Sequence, residues 1–568
     1  MNLPEEESRG LNGEEKRPSY ELTLDQLVQL EAIYEHCPHP DDTKEDQIAK
    51  ELGLELEQIK HWFQNKRKTK ISQPESEAPT KEETSLANPQ TEVAEIIKVA
   101  NLAMAELLKL VTINEPLWTE SSYGVEHVLV REKYANMFPR VDSFSRPHTH
   151  EESSKYYKVV RMKARQLVEM LLHSDQWANL FPTIVSKSGT VKLIGVGSMD
   201  KQNAVLQVVY EEMHSLSPLV PSRKLLFLRC CQQIGNGTWA IAHVSIDSID
   251  GHVHDFPVRR LPSGCMIYQM NEEFSMVHWI EHVKINDKME TKLDRDLTHN
   301  NAVYGAQRWL CALHRMCERF FCTTISNVPP ETSQKVMNAF NARMAAMKLS
   351  NRMIRSFFEI VYMLRREGFL QSYDEKNYDL KTSLRKNTEP EMPQGIIATA
   401  ITCIRFPVPP QDIFTLLGEG RKRPKWDLLT CFLPMSEISR FTAGGNHVSI
   451  MRTQNDTESN VMIFQDSYTD PLGSYVVYAP ISTKNAIMIT NGGNSMVSIL
   501  PSGFLISEDN RAVVKSSKKP RGSLLTMAYQ FLICCDEESI QDEHKEIIGR
   551  IVVSTLQKIT NSLNISED

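Results

Sequence analysis

The chain has 568 residues, of which 41% are hydrophobic and 24% charged, and its formal net charge is −8. That length suits several domains, and the composition suits ordinary globular cores. The acidic balance excludes a global basic field that would draw the chain to nucleic acid, so any basic footprint must be local.

No apolar run approaches the roughly 18–20 residues of a membrane span. The opening MNLPEEESRGLNGEEKR lacks the apolar core of a secretion signal. The 11 cysteines form no CxxC pair, and Cys230/Cys231 and Cys534/Cys535 lie in apolar runs. Buried thiols in a reducing compartment are the expectation. His148/His150 and His252/His254 sit in polar loops without nearby cysteine, so no metal site is expected.

Residues 1–15 are acidic and are expected to be disordered. Thr23 and Gln26 then form a capping box, with Leu24, Leu27, Leu30 and Tyr34 at helical spacing. The prolines of CPHP (37–40) stop that helix. Asp42 or Thr43 starts a second helix carrying Ile48 and Leu52, with Gly53 as its C-terminal cap. A third helix covers about 56–71, so residues 16–71 read as an all-α, three-helix domain.

The polar segment 72–90 holds three prolines and reads as a linker. Next comes a helix near 91–112, opening a mixed domain over 91–322. Residues 323–394 read as a helix of about 331–366 followed by a charged connector, and 395–568 as a second mixed domain. The two mixed regions share a plan. Each has a strand, a helix and then a tryptophan, Trp177 or Trp426. Each has a strand from Asn to Gln, 203–207 or 460–465. Each repeats Leu-Pro-Ser-Gly, at 261–264 and 500–503, and each ends in a long helix near 301–322 or 539–563. Four features in one order predict two α+β domains of one fold, each a sheet gripped by its last helix.

The strongest motif is QIKHWFQNKRKTK at 58–70. At about 100° per residue, Ile59, Trp62, Phe63 and Lys66 fall on one side of a helix and His61, Gln64, Asn65 and Lys68 on the other. The first set suits packing. The second is what a helix in the major groove aims at base edges, where Asn or Gln reads adenine. Lys60, Lys66, Arg67 and Lys70 flank that face and would reach phosphates, with Lys16 and Arg17 on an N-terminal arm. The competing reading is a packed helix with a solvated basic face.

This stretch resembles homeodomains. The segment LEAIYEHCPHP (30–40) is similar to the class IV homeodomain–leucine zipper proteins of plants. The resemblance implies that Asn65 reads adenine and Gln64 tunes neighbouring bases. Family members have Phe at His61, Arg at Lys66 and Thr at Lys68, so base preference does not carry over. Residues 14–71 hold 9 Lys/Arg against 13 Asp/Glu, a net of −4. The dimerising zipper is missing, because 72–90 shows no heptad. These departures imply weak binding to double-stranded DNA without zipper-driven self-dimerisation, and the resemblance implies an A/T-rich site.

Residues 91–322 resemble the START lipid-transfer domain through LVPSR (219–223), GTWA (237–240), LPSG (261–264), VHWIEH (277–282) and YGAQRW (304–309). The resemblance implies a curved antiparallel sheet around an apolar tunnel, with one lipid or sterol-like ligand and no other cofactor. Leu225, Phe227, Arg229 and Cys231 alternate on one strand face. Arg223 and Arg229 match an arginine pair of START proteins, the later one facing an acid in the cavity. Glu281, beside Trp279, is one candidate partner; Glu211 and Glu212 are others. Arg229 either anchors a ligand's polar end, forms a structural ion pair, or faces outward.

NVMIFQD (460–466), YVVYAP (475–480) and GSLLT (522–526) resemble the segment that follows START in the same family. A nuclear transcription regulator is therefore expected. The alternative is a lipid-binding or interaction protein with a degenerate homeodomain that modulates related homeodomain proteins. No P-loop, GxSxG, HExxH or dinucleotide glycine pattern occurs, so no enzyme is expected.

Overall fold

In a computed structural model of the chain, the described residues are 40–52, 54, 56, 59, 60, 63, 89–120, 126–139, 149–196, 205–214, 222–246, 248–249, 252–253, 256–286, 303–324, 337, 339–363, 371–375, 378–387, 392–428, 435–443, 446–453, 461–470, 473–493, 497–509, 522–533 and 542–565. They fall into two compact units, Met1–Ala87 and Asn88–Asp568, each taken by itself below.

The first unit contains helix α1 (Asp42–Leu52). The Asp41 Oδ1 accepts the Lys44 backbone N–H at 2.9 Å, satisfying a first-turn donor. The helix thus starts at Asp42, one of the two residues expected to start it, with Asp41 capping its first turn. Ile48, Ala49 and Leu52 form one small core with Ile59 and Phe63. The expected first helix, at 23–34, lies outside the described residues.

The second unit holds two large antiparallel sheets. Helix α2 (Pro89–Thr112) precedes strands β1 (Trp118–Glu120) and β2 (His127–Leu129), helix α3 (Arg131–Met137) and strand β3 (Thr149–Val160). Helices α4 (Ala164–Leu172) and α5 (Trp177–Leu180) lead into β4 (Val185–Val196), β5 (Val205–Met213), β6 (Arg223–Gly235) and β7 (Thr238–Ser245). A small pair, β8 (Ser248–Ile249) and β9 (His252–Val253), and then β10 (Val258–Arg260) precede β11 (Ser263–Gln269) and β12 (Ser275–Asn286). Helix α6 (Ala306–Thr324) closes this module.

Helix α7 (Phe340–Met363) opens the other module, followed by β13 (Gln371–Glu375), β14 (Tyr378–Lys386), β15 (Ile396–Phe406) and helix α8 (Pro410–Gly418). Strands β16 (Met435–Ala443), β17 (Asn446–Thr453), β18 (Val461–Asp470) and β19 (Gly473–Ser482) come next, then helix α9 (Thr483–Thr490). Strands β20 (Ser502–Glu508) and β21 (Ser523–Ile533) precede the closing helix α10 (Asp542–Ser562).

The main path of the first sheet is β1-β2-β3-β12-β11-β7-β6-β5-β4, and the second is β13-β14-β15-β21-β20-β19-β18-β17-β16. From β3 and from β15 onward the strand order is the same, so the repeat read from the sequence is a repeat of topology. Leu225, Phe227 and Cys231 of β6 face an inner core with Trp309, Leu313 and Cys317 of α6. Leu226, Leu228 and Cys230 face outward onto Met104 and Leu107 of α2. In the second module α10 lies on one face, through Val552 and Leu556. On the other face lies α7, through Met353 and Phe357.

Two features of the plan share a structural position. Trp177 Nε1 donates to Leu171 O (3.0 Å) and Trp426 Nε1 to Leu416 O (3.2 Å), each pinning the end of the helix before it. Ser263 Oγ accepts from His282 N at 2.9 Å and Ser502 Oγ from Gln530 N at 3.1 Å. Gly264 pairs with Ile280 and Gly503 with Ala528, so each serine meets the residue two beyond its glycine's partner. A Cβ on either glycine would strike the carbonyl oxygen of Ile241 or Val476, which is why glycine stands at both positions.

A third feature is displaced. The Asn-to-Gln segments reach different strands: Gln207 is on β5, and Gln465 is on β18, the counterpart of β6. Both glutamines nevertheless donate to the last carbonyl of the helix before the tryptophan, Leu172 O at 3.1 Å and Gly418 O at 2.8 Å. The shared task, approached from adjacent strands, produced the shared residue. Residues 323–394 are not simply a connector either. Helix α7 joins the second core, and β13 and β14 extend its sheet.

Candidate functional site

The third helix of the first unit is described at 56, 59, 60 and 63. Ile59 and Phe63 are both fully buried on α1. Lys60 Nζ lies 3.8 Å from Glu45 Oε2, so this phosphate candidate also faces an acid of its own domain. The base-reading candidates His61, Gln64, Asn65 and Lys68, and the phosphate candidates Lys16, Arg17, Lys66, Arg67 and Lys70, lie outside the described residues.

In the first grip module the inward side of the sheet is polar at its centre. Arg229 is fully buried on β6. Its Nη1 donates to Ser174 Oγ (2.8 Å) and Leu171 O (3.1 Å), and its Nε to His243 Nε2 (3.2 Å). The guanidinium lies 4.2 Å from the centre of the Trp177 ring. Burial lowers its pKa to about 10, which leaves it charged at neutral pH. Burial, and then Arg229 and Arg260, push the His243 pKa well down, so that ring is neutral.

Glu281 is not the direct partner of Arg229. Arg260 stands between two acids instead, with Nη2 at 3.5 Å from Glu211 Oε1 and 3.6 Å from Glu281 Oε2. Glu281 Oε1 accepts from Trp279 Nε1 at 2.9 Å, and burial raises its pKa despite Arg260. Arg223 is paired elsewhere, bonding Glu152 at 2.8 Å beside the Tyr304 ring. Burial opposes ionisation of Glu152, but Arg223 and His150 together bring its pKa down to about 2. Glu212 reaches neither arginine of the centre and accepts from Tyr362 of α7. Sequence reasoning missed Arg260 and His243. Both face inward, and inward polar residues on alternating strands were the signal available.

Rings wall this polar centre. Trp279 stacks on Trp309 at 5.1 Å, and Trp177 meets Trp309 edge-on at 5.4 Å. Among the described residues, Arg229 Nη2, Arg260 Nε and Nη1, His243 Nδ1 and Trp309 Nε1 find no hydrogen-bond acceptor, and Glu211 Oε2 finds no donor. Five unanswered buried nitrogens are costly, at roughly 1–3 kcal/mol for each such group. At one end of the inner face, a cleft of about 410 Å³ lies between Val168 and Leu172 of α4 and Val205, Cys231 and Trp239 of the sheet. Cys231 is the next inward residue after Arg229, and burial raises its thiol pKa to about 12, so it is an unreactive wall.

Among the described residues, no group of three or more His, Cys, Asp or Glu could hold a metal ion. Among those residues, no helix is long and apolar enough to cross a membrane.

Comparison with known proteins finds three families along the chain. The homeodomain family matches residues 16–70, the START domain family 98–319, and the family described as PDF2-like, C-terminal domain, 339–565. The Homeobox-leucine zipper protein HDG8 of Arabidopsis thaliana is 30% identical, over 97% of this chain and 97% of its own. The Homeobox-leucine zipper protein ROC8 of Oryza sativa subsp. japonica is 28% identical, over 99% of both. Among solved structures, human StAR-related lipid transfer protein 5 matches with 11% identity and a TM-score of 0.28, over 40% of this chain and 99% of that one.

Proposed function

We propose, since the chain belongs to the class IV homeodomain–leucine zipper family, that it is a nuclear transcription regulator that docks on DNA through its third homeodomain helix and carries an amphiphile in its START module. The observation that carries the first half is the burial of Ile59 and Phe63 against α1. That burial supports the face expected from the sequence, in which His61, Gln64, Asn65 and Lys68 fall opposite Ile59 and Phe63 at helical spacing. Asn65 reads a base, at about 1–3 kcal/mol of discrimination. Affinity is low, because the net charge of residues 14–71 is −4 and Lys60 is shared with Glu45.

The ligand reading rests on the unanswered donors at Arg229, Arg260, His243 and Trp309. They suit an oxygen-rich head group, and the apolar wall of the 410 Å³ cleft suits a lipid or sterol-like body.

The test is an electrophoretic shift titration of the full chain and Asn65→Ala on an A/T-rich palindrome at two salt concentrations. Weak, salt-sensitive binding that falls roughly ten-fold in the variant is expected. Equal binding by both proteins removes base reading and favours the second reading, a lipid-binding or interaction protein that modulates related factors. The low positive charge of the domain supports that reading. Nanomolar dimeric binding at physiological salt removes the weak-monomer reading. For the ligand, native mass spectrometry of the full chain compares Arg229→Leu with the parent; unchanged lipid retention rejects the anchoring role.

A further inference from the structure

We propose that the C-terminal module senses the state of the START interior through the closing helix α6, with Asp466 as the coupling residue. Helix α6 has two working faces. Its inner face places Trp309 against Trp279 and Trp177, beside the polar centre. Its outer face carries Arg315 and Arg319, both buried, and both reach Asp466 of β18 in the other module. Asp466 is itself fully buried. It also accepts from Ser350 of α7 and from Tyr475 of β19 at 3.5 Å, while Arg319 bonds Asn351 of α7 at 2.5 Å.

A buried carboxylate shared by two arginines does not separate from them cheaply, because either side would be left as an unpaired charge in a dry setting. A helix is stiff along its axis, so a displacement at Trp309 moves Arg315 and Arg319, two to three turns on, and Asp466 with them. From Asp466 the path into the second module is one peptide long. The adjacent Gln465 faces the opposite side of β18 and accepts from Arg423 at 2.6 Å, in the centre of the second module's interior. The end of α6 also enters the second core, where Cys322 packs and its carbonyl accepts from Arg343 at 3.0 Å. One rigid element therefore touches the START interior and both faces of β18, directly or through one residue, which is the physical requirement for coupling two sites.

The experiment is hydrogen–deuterium exchange read by mass spectrometry on the full chain, without lipid or DNA, so its outcome is independent of the functional readings above. Two perturbations of the START interior, Arg229→Leu and Trp309→Phe, are expected to speed exchange at least three-fold in 461–470 and 340–363. Asp466→Asn keeps the shape and the acceptor for Ser350, and it is expected to speed exchange by a similar factor in 306–324 and 223–235. Arg319→Lys keeps the charge but loses the fork, and it should act in the same direction if Asp466→Asn does not fold. Changes confined to the mutated module overturn the proposal. Asp427→Asn loosens the second module without touching α6, and an equal effect of that variant on 223–235 also overturns it.

Discussion

Both grip modules bury an arginine against a tryptophan, and they differ in which wall supplies it. In the START module Arg229 comes from the sheet and reaches Ser174, just before Trp177. In the C-terminal module Arg423 comes from the turn just before Trp426 and reaches Gln465 on the sheet. Arg423 is fully answered. Its Nε and Nη2 both bond Asp427, at 3.0 and 2.7 Å, and its Nη1 bonds Gln465. Among the described residues, the hydrogen bonds of Arg229 go to neutral groups, and its Nη2 finds no partner. One scaffold with similar residues thus gives a closed network in one copy and an open one in the other. A closed network is complete as a piece of structure, whereas an open one leaves donors for the ligand proposed above.

The largest expected effect breaks the closed network. Asp427→Ala leaves Arg423 buried without its counter-charge and should cost about 3–5 kcal/mol of stability in denaturant unfolding. A cost below about 1 kcal/mol would mean that water already answers Arg423. Next come the two strand-entry glycines. Gly264→Ala should destabilise by about 1–3 kcal/mol, and by more than Gly503→Ala, because Gly264 also holds a φ of +128°. Equal losses in thermal melts would show that the carbonyl clash alone sets the cost.

A third expectation concerns Glu126, which accepts the Gln307 N–H at the start of α6 and whose pKa burial raises to about 7. The folded chain holds a proton that the unfolded chain releases near pH 4.5. The stabilisation is therefore complete below that pH and is lost as pH rises through 7. Glu126→Gln should remove this loss, gaining on the order of 1–3 kcal/mol at pH 8 and flattening the pH–stability curve. An unchanged curve would assign the slope to other groups. The smallest effect is expected from Arg229→Leu. It removes a buried charge that has no tight counter-charge, so stability should move by about 1 kcal/mol or less. A loss as large as that of Asp427→Ala would make the START centre as structural as its counterpart.

The sequence showed the repeat where one residue type performs one backbone task. Leu-Pro-Ser-Gly was legible because a serine cap and a close strand approach each demand a particular small residue. The tryptophans were legible because each fills an interior and ties a helix end. The Asn-to-Gln pairing was misleading because a glutamine amide can reach the same carbonyl from either of two strands.

Residues 371–386 read as linker because charges such as Lys381, Arg385 and Lys386 break the apolar pattern, and strands at the end of a sheet tolerate charge. Two of the three acids offered to Arg229, Glu211 and Glu281, stand against Arg260 instead, and Glu212 accepts from Tyr362. Arg260, in a three-residue strand beside Leu261, leaves no periodic trace. In the homeodomain, Ile59 and Phe63 were readable as packing residues of the third helix from spacing alone.

The position of α6 bears on how this protein can be taken apart. A fragment cut after residue 324 would keep everything the START fold needs on its inner side. It would also present Arg315 and Arg319 to water without Asp466, and a raw apolar end at Cys322. The complementary fragment would hold Asp466 and Ser350 with no cation to answer them. Dissection at the seam drawn by domain length therefore yields two pieces that each carry half of a shared wall, and a piece of that kind tends to be sticky rather than informative.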